Sequence, residues 1–184
     1  MRYTDIAIIG GGLAGSTAAA MLGRAGISTV LIDPHETYPA DFRVEKLSGH
    51  TQVERFSRTG IADSVLRRAT FAGENWIARF GRLLDKAPSR QFNILYDSLV
   101  NAVRDEIPAG VERICAKAVS LETSPERQKI TLSNEETISA RLVVLANGPN
   151  VGLRHQLGIA RKIISACHSS TWCRRGGIRS TSRR

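Results

Sequence analysis

The chain has 184 residues, enough for one domain with a sizeable core, and 42% of them are hydrophobic. Its apolar runs are far shorter than a membrane span and no secretory leader is recognised, so a cytoplasmic protein without a membrane span is expected. The net charge of +9 does not read as a nucleic-acid face: residues 1–136 hold 17 basic and 17 acidic residues, and the excess is nine basic residues with no acid in 137–184. Cys115, Cys167 and Cys173 are odd in number and irregularly spaced, which suggests no disulfide framework. Cys167, His168 and Cys173 lack a fourth ligand at usable spacing, so they read as plain residues and no metal site is expected.

The N-terminal stretch organises the chain. Ile6-Ala7-Ile8-Ile9 is an apolar run of the kind found in strands buried on both faces. Gly10, Gly12 and Gly15 then spell G-x-G-x-x-G, with Leu13 and Ala14 between the last two. Ser16 to Ala25 is alanine- and leucine-rich, as a buried helix would be, and Gly26 stops it. Ser28 to Ile32 reads as a second strand, ending on Asp33, which lies 23 positions after Gly10. The motif thus follows a strand, opens a helix and is answered by an acid, the setting in which it binds dinucleotides. Gly10 permits the tight turn, Gly12 lets a pyrophosphate approach the backbone, and Gly15 lets helix and strand pack closely. The helix start offers free N–H groups and the positive end of its dipole to phosphates. A carboxylate at Asp33 can accept hydrogen bonds from ribose hydroxyls.

Pro34 to Gly49 shows no clean period and reads as a loop; Arg43 within it reads as a solvated charge. Thr51 to Arg58 and Ile61 to Ala69 read as two short helices split by Gly60, with Gln52 an ordinary surface amide near the first helix start. Trp76, Ala78 and Phe80 share one parity, so Glu74 to Arg82 reads as a strand that Phe92 to Leu95 continues. Leu99, Val100, Val103 and Ile107 have helical spacing over Asp97 to Ile107, stopped by Pro108 and Gly110. Ile114 to Glu122 and Lys129 to Leu132 read as strands around a Ser124–Arg127 turn. Ile138 to Ala146 is a further buried strand running into the turn Asn147-Gly148-Pro149-Asn150.

Two motifs on one chain point to a family. The stretch Val143 to Arg154 resembles the A-D-G-x-x-S-x-x-R segment of FAD-dependent aromatic hydroxylases, the group A flavoprotein monooxygenases, with the related flavin halogenases. Ala146, Gly148 and Arg154 match; Asn147 stands for the family's Asp and Val151 for its Ser. The resemblance covers roughly Tyr3 to Ile159. It implies that FAD is the cofactor, with its AMP part on Gly10 to Gly15 and Asp33. It also implies an arginine near the flavin at Arg43, a polar contact at Gln52, adenine against the Val119 backbone, and cofactor contacts at Asn147 and Gly148. The family's R-x-x-L reads Tyr96-Asp97-Ser98-Leu99, without the arginine.

The fold that follows is α/β: a Rossmann-like FAD-binding domain with a β-α-β start and a β-meander, incomplete at the C-terminus. Residues 1–160 would form the partial dinucleotide-binding domain. Residues 161–184 would be a basic tail, frame-shifted or disordered, because Thr171 to Arg184 has no period and no apolar face. The function implied is a monooxygenase-type oxidoreductase, using NAD(P)H as reductant and acting on a small organic substrate. The alternative is a dinucleotide-binding fragment without catalysis. An NAD-dependent dehydrogenase fits the first motif but not the second. No triad, metal cage or carboxylate pair is legible, so no catalytic side chain is named.

Overall fold

A computed structural model describes residues 2–48 and 51–159. The expectations for residues 161–184, including Cys167, His168 and Cys173, fall outside the described residues.

The chain opens with β1 (Arg2–Ile9), α1 (Leu13–Arg24) and β2 (Thr29–Asp33). Next come β3 (Val44–Ser48), the helices α2 (Thr51–Arg58) and α3 (Ala62–Leu66), and the strands β4 (Thr70–Arg79) and β5 (Arg82–Leu95). It continues through α4 (Tyr96–Arg104), β6 (Glu112–Cys115), β7 (Ala118–Thr123), β8 (Gln128–Leu132), β9 (Thr137–Leu145) and α5 (Gly152–Gln156). The main sheet has six strands in the order β6-β2-β1-β9-β8-β7. β1 lies parallel to both β2 and β9, with Ile9 opposite Ile32 and Leu145. β6 extends the parallel part, and β8 and β7 close it as an antiparallel meander. The α/β fold with its β-α-β start and meander is therefore present.

The apolar run of β1 is buried on both faces because layers cover both. Ala7 and Ile9 join Val30, Ile32, Ile130 and Ile138 on one face. Ile6 and Ile8 meet Ala18, Ala19 and Leu22 of α1 on the other. A parallel sheet needs this double cover, and its strands carry few polar residues for that reason. Among the described residues no helix is long and apolar enough to cross a membrane.

A second sheet, ordered β3-β5-β4, is antiparallel. Its base, through Leu47 and Ile94, packs on Phe56 of α2, Ile61 and Val65 at α3, and Leu99 of α4. Here the sequence reading needs correction. The segment read as a loop from Pro34 to Gly49 contains β3, because Leu47 is 4% exposed and finds its partner layer in these helices. The single strand expected over Glu74 to Arg82 is two strands. Arg79 pairs with Arg82, and Phe80 and Gly81 turn between them at φ 48° and 75°. Two positive φ values give the hairpin twist that a two-residue loop requires. Likewise Ile114 to Glu122 is divided: β6 pairs with β2, whereas β7 pairs with β8. The first helix starts at Leu13, three residues earlier than composition suggests, since Ser16 N–H donates to the Gly12 carbonyl at 2.9 Å.

Candidate functional site

The parallel strands end together, and the cleft lies beyond their C-terminal ends. This is where an open α/β sheet changes direction and leaves a crevice, between β1 and its neighbours β2 and β9. The cleft has a volume of about 660 Å³. Gly10, Gly12, Leu13, Ala14, Asp33, Arg43, Val119, Asn147 and Gly148 all line it.

The three motif glycines differ in what surrounds them. Gly10 has φ 108°, and a Cβ on it would lie 2.6 Å from the Ala146 carbonyl oxygen. A Cβ on Gly15 would lie 1.8 Å from the Gly10 oxygen, so this residue sets how closely α1 approaches β1. Gly15 is buried and serves the cleft from beneath. A Cβ on Gly12 would meet nothing within 4 Å. The protein's own packing therefore does not require glycine at 12, and the space above it is open to the cleft. Gly12 caps α1 with no side-chain hydrogen bond and no acid in the first turn, so the helix start keeps its donors for the cleft.

Asp33 ends β2 with its carboxylate largely fixed. Oδ2 accepts from the Gly11 N–H at 2.6 Å and Oδ1 from the His35 N–H at 3.0 Å. Arg104 was not singled out by the sequence, yet it lies beneath this corner, 3% exposed. Its Nε donates to the Gly11 carbonyl at 2.9 Å, and its Nη1 donates to the His35 and Glu36 carbonyls at 2.8 and 3.0 Å. Its Nη2 lies 3.0 Å from Asp33 Oδ1, close enough for an ion pair but off the hydrogen-bond direction. The only sequence signal was a charge beside the buried Val100 and Val103, on the helical face it shares with Asn101.

Arg43 reaches the cleft from the β2–β3 connection. Its side chain forks onto Asp41 at 2.8 and 2.5 Å, and its guanidinium lies 4.2 Å from the Tyr96 ring centroid. The hydrogen bond from Arg43 holds the Asp41 carboxyl below its usual range, and the Asp41 carboxylate in turn raises Arg43 above its ordinary value. Tyr96, at the position where the family pattern has arginine, also lines the cleft. Lys117, Ala118 and Val119 line the cleft just after Ala116, whose N–H donates to the Asp33 carbonyl at 3.1 Å, and Gln156 of α5 donates to the Val119 carbonyl at 3.1 Å. Asn147 and Gly148 follow β9; Asn147 Oδ1 is buried with no hydrogen-bond partner. Gln52 is not among the lining residues. Its Oε1 accepts from the Ser48 N–H at 2.5 Å, tying α2 to β3.

A dinucleotide fits this set of groups on two independent observations. There is a glycine that the protein's own packing leaves uncrowded, and there is a buried acceptor on Asn147 that no protein group satisfies.

Residues 3–174 match the family described as "FAD binding domain". The chain is 29% identical over 171 residues to 3-amino-4-hydroxybenzoate 2-monooxygenase PtmB3 of Streptomyces platensis, covering 83% of this chain and 41% of that protein. It is 25% identical over 173 residues to 3-demethoxyubiquinol 3-hydroxylase of Escherichia coli (strain K12), covering 85% and 44%. The flavin-dependent monooxygenase PieE, solved in complex with FAD and substrate, superposes with a TM-score of 0.71 at 22% identity, covering 85% of this chain and 32% of that one. The p-nitrophenol 4-monooxygenase PnpA from Pseudomonas putida DLL-E4 gives 0.70 at 17%, covering 80% and 42%. The chain thus spans about two fifths of the length of the curated relatives it matches.

Proposed function

The chain belongs to the FAD binding domain family, and from that premise we propose that it binds the AMP half of FAD as part of a flavin-dependent monooxygenase. The observation that supports this most is the uncrowded Gly12 at the mouth of α1, between two glycines whose own space is filled. On this reading Gly12, Leu13 and Ala14 present their backbone to the pyrophosphate, where the helix dipole favours negative charge. Asp33 accepts from the adenosine ribose, and the Val119 backbone meets the adenine. Arg43 stands toward the flavin end with Tyr96 under its guanidinium. Asn147 and Gly148 close the far side, and the unsatisfied Asn147 Oδ1 accepts a donor from the cofactor. Gln52 contributes through β3 rather than by contact.

The chemistry that a bound flavin supplies is two-electron redox, with NAD(P)H as reductant and O₂ as oxidant, to oxygenate a small organic substrate. The residues described here bind and orient the cofactor.

The test is a titration of the purified chain with FAD, followed by flavin fluorescence. Saturable binding and a yellow protein that survives gel filtration are expected. No binding at 1:1 stoichiometry would sink the proposal. Bound FAD without NAD(P)H oxidation, with or without an aromatic substrate, would instead identify dinucleotide binding without turnover.

A further inference from the structure

Arg104 is the most completely buried cation among the described residues, and it does not face the cleft. Burying a guanidinium is costly unless its donors are satisfied. Here Nε and Nη1 donate to the carbonyls of Gly11, His35 and Glu36, while Nη2 makes no hydrogen bond and is balanced by the Asp33 carboxylate 3.0 Å away. All four belong to the two segments that shape the nucleotide corner, namely the glycine turn and the end of β2 with the loop that follows it. The Gly11 peptide is consequently held at both ends. Its N–H donates to Asp33 Oδ2 at 2.6 Å, and its carbonyl accepts from Arg104 Nε at 2.9 Å and from Ser16 Oγ at 3.0 Å. Gly11 leaves the room for this; a Cβ there would come 2.5 Å from Arg104 Nη2.

The same helix face fixes the loop further on. Asn101, one turn before Arg104, accepts from the Tyr38 N–H at 2.9 Å and donates to the Tyr38 carbonyl at 3.1 Å. The Arg104 guanidinium also lies 5.7 Å from the Tyr38 ring centroid. Thus α4 supports the corner from below while Asp33 faces the cleft above.

We infer that Arg104 is a positioning residue for adenosine recognition: it fixes the Asp33 carboxylate against the glycine turn, so that the ribose hydroxyls meet an acceptor already aimed at them. The inference rests on the FAD-binding reading. It adds a residue that touches no ligand and that acts through Asp33. A lysine could not replace it, because one ammonium cannot reach four acceptors spread around a planar fork.

Calorimetric titration of the whole chain with ADP and with 2′,3′-dideoxy-ADP tests this. Wild type should prefer ADP by about tenfold, the size expected for hydrogen bonds to a charged acceptor. In Arg104→Met that preference should shrink to less than about threefold, the loss falling on ADP. Arg104→Lys, which keeps the charge and a better prospect of folding, should show the same narrowing. Equal weakening of both ligands, with the preference kept, would make Arg104 a fold-holding residue and overturn the inference. So would the unfolding of both variants, seen by circular dichroism. A wild type that binds both ligands alike would overturn it while leaving nucleotide binding standing. A wild type that binds neither ADP nor FAD would instead remove the FAD-binding reading itself, and this inference with it.

Discussion

The two sheets of this molecule are built from similar residues and are treated differently by it. In β1 and β2 the apolar residues Ala7, Ile8, Ile9, Val30, Leu31 and Ile32 are all at most 5% exposed. In the β4–β5 hairpin Trp76 is 64% exposed, Leu84 59% and Phe80 fully so. Both regions are strands, and both carry large hydrophobic side chains. What differs is the number of layers packed on them. The six-stranded sheet has α1 on one face and α5, through Leu153, on the other. The hairpin is covered only at its base, where Phe92 and Ile94 meet α3 and α4. Burial is thus set by what the topology brings alongside a strand, not by the strand's own composition. The cleft follows the same division: its floor is the doubly covered sheet, whose strand ends are held still.

Substitutions should separate the two regions sharply. Ile8→Ala, at 0% exposure, should cost about 3.5 kcal/mol in urea denaturation. A cost below about 1 kcal/mol would mean the sheet is not the stable part. Asp33→Ala comes next. It strands the buried Arg104 guanidinium without its carboxylate, and breaking such a pair costs about 3 kcal/mol. Unchanged stability by the same measurement would place the carboxylate in solvent. Asp33→Asn preserves an acceptor for the Gly11 N–H and is the cleaner variant for ligand titrations. Gly12→Val tests the cleft without the core. With nothing within 4 Å of its Cβ, stability should move by less than about 0.5 kcal/mol. FAD affinity should fall about a hundredfold, roughly 2.7 kcal/mol. Equal affinity in wild type and variant rejects the pyrophosphate assignment. The smallest effect belongs to the hairpin. Trp76→Ala removes only a hydrogen bond to Glu74 and a stacked Lys86, and should cost less than about 0.5 kcal/mol. A loss as large as that of Ile8 would show the hairpin to be covered in solution.

The same contrast explains what could be read from the sequence. The β-α-β start was legible because strand, glycine turn, helix and acid are adjacent in the chain, and each follows from local preference. The buried strand before Asn147 was legible because double cover leaves a continuous apolar run. β3 was missed because it is short, half exposed and anchored by a single buried residue, Leu47. The hairpin turn was missed because Phe80 occupies a positive-φ position where asparagine or glycine is the usual signal. Pro88 is tolerated inside β5 because it sits beyond the reach of β3, which pairs only with residues 91–95. For the site, nine of the eleven expected residues line the cleft; Gly15 lies beneath it and Gln52 beside it. Arg104 was illegible since its partners are backbone carbonyls 68 to 93 positions away, and carbonyls leave no mark in a sequence.

The pairing of β1 with β9 also constrains how the chain comes to be folded. Ile9 and Leu145 are register partners, so the central strand leaves the ribosome long before its second neighbour exists. During that interval β1, α1 and β2 can associate, but one edge of β1 stays open, a template for pairing with other chains. Closing so long a loop is slow compared with local helix formation. The nucleotide corner is therefore a late product of synthesis: Gly10 is packed against Ala146, which arrives after β9. Ribosome-bound chains stalled before residue 137 should stay sensitive to protease and fail to retain FAD, and chains that expose residue 159 should not.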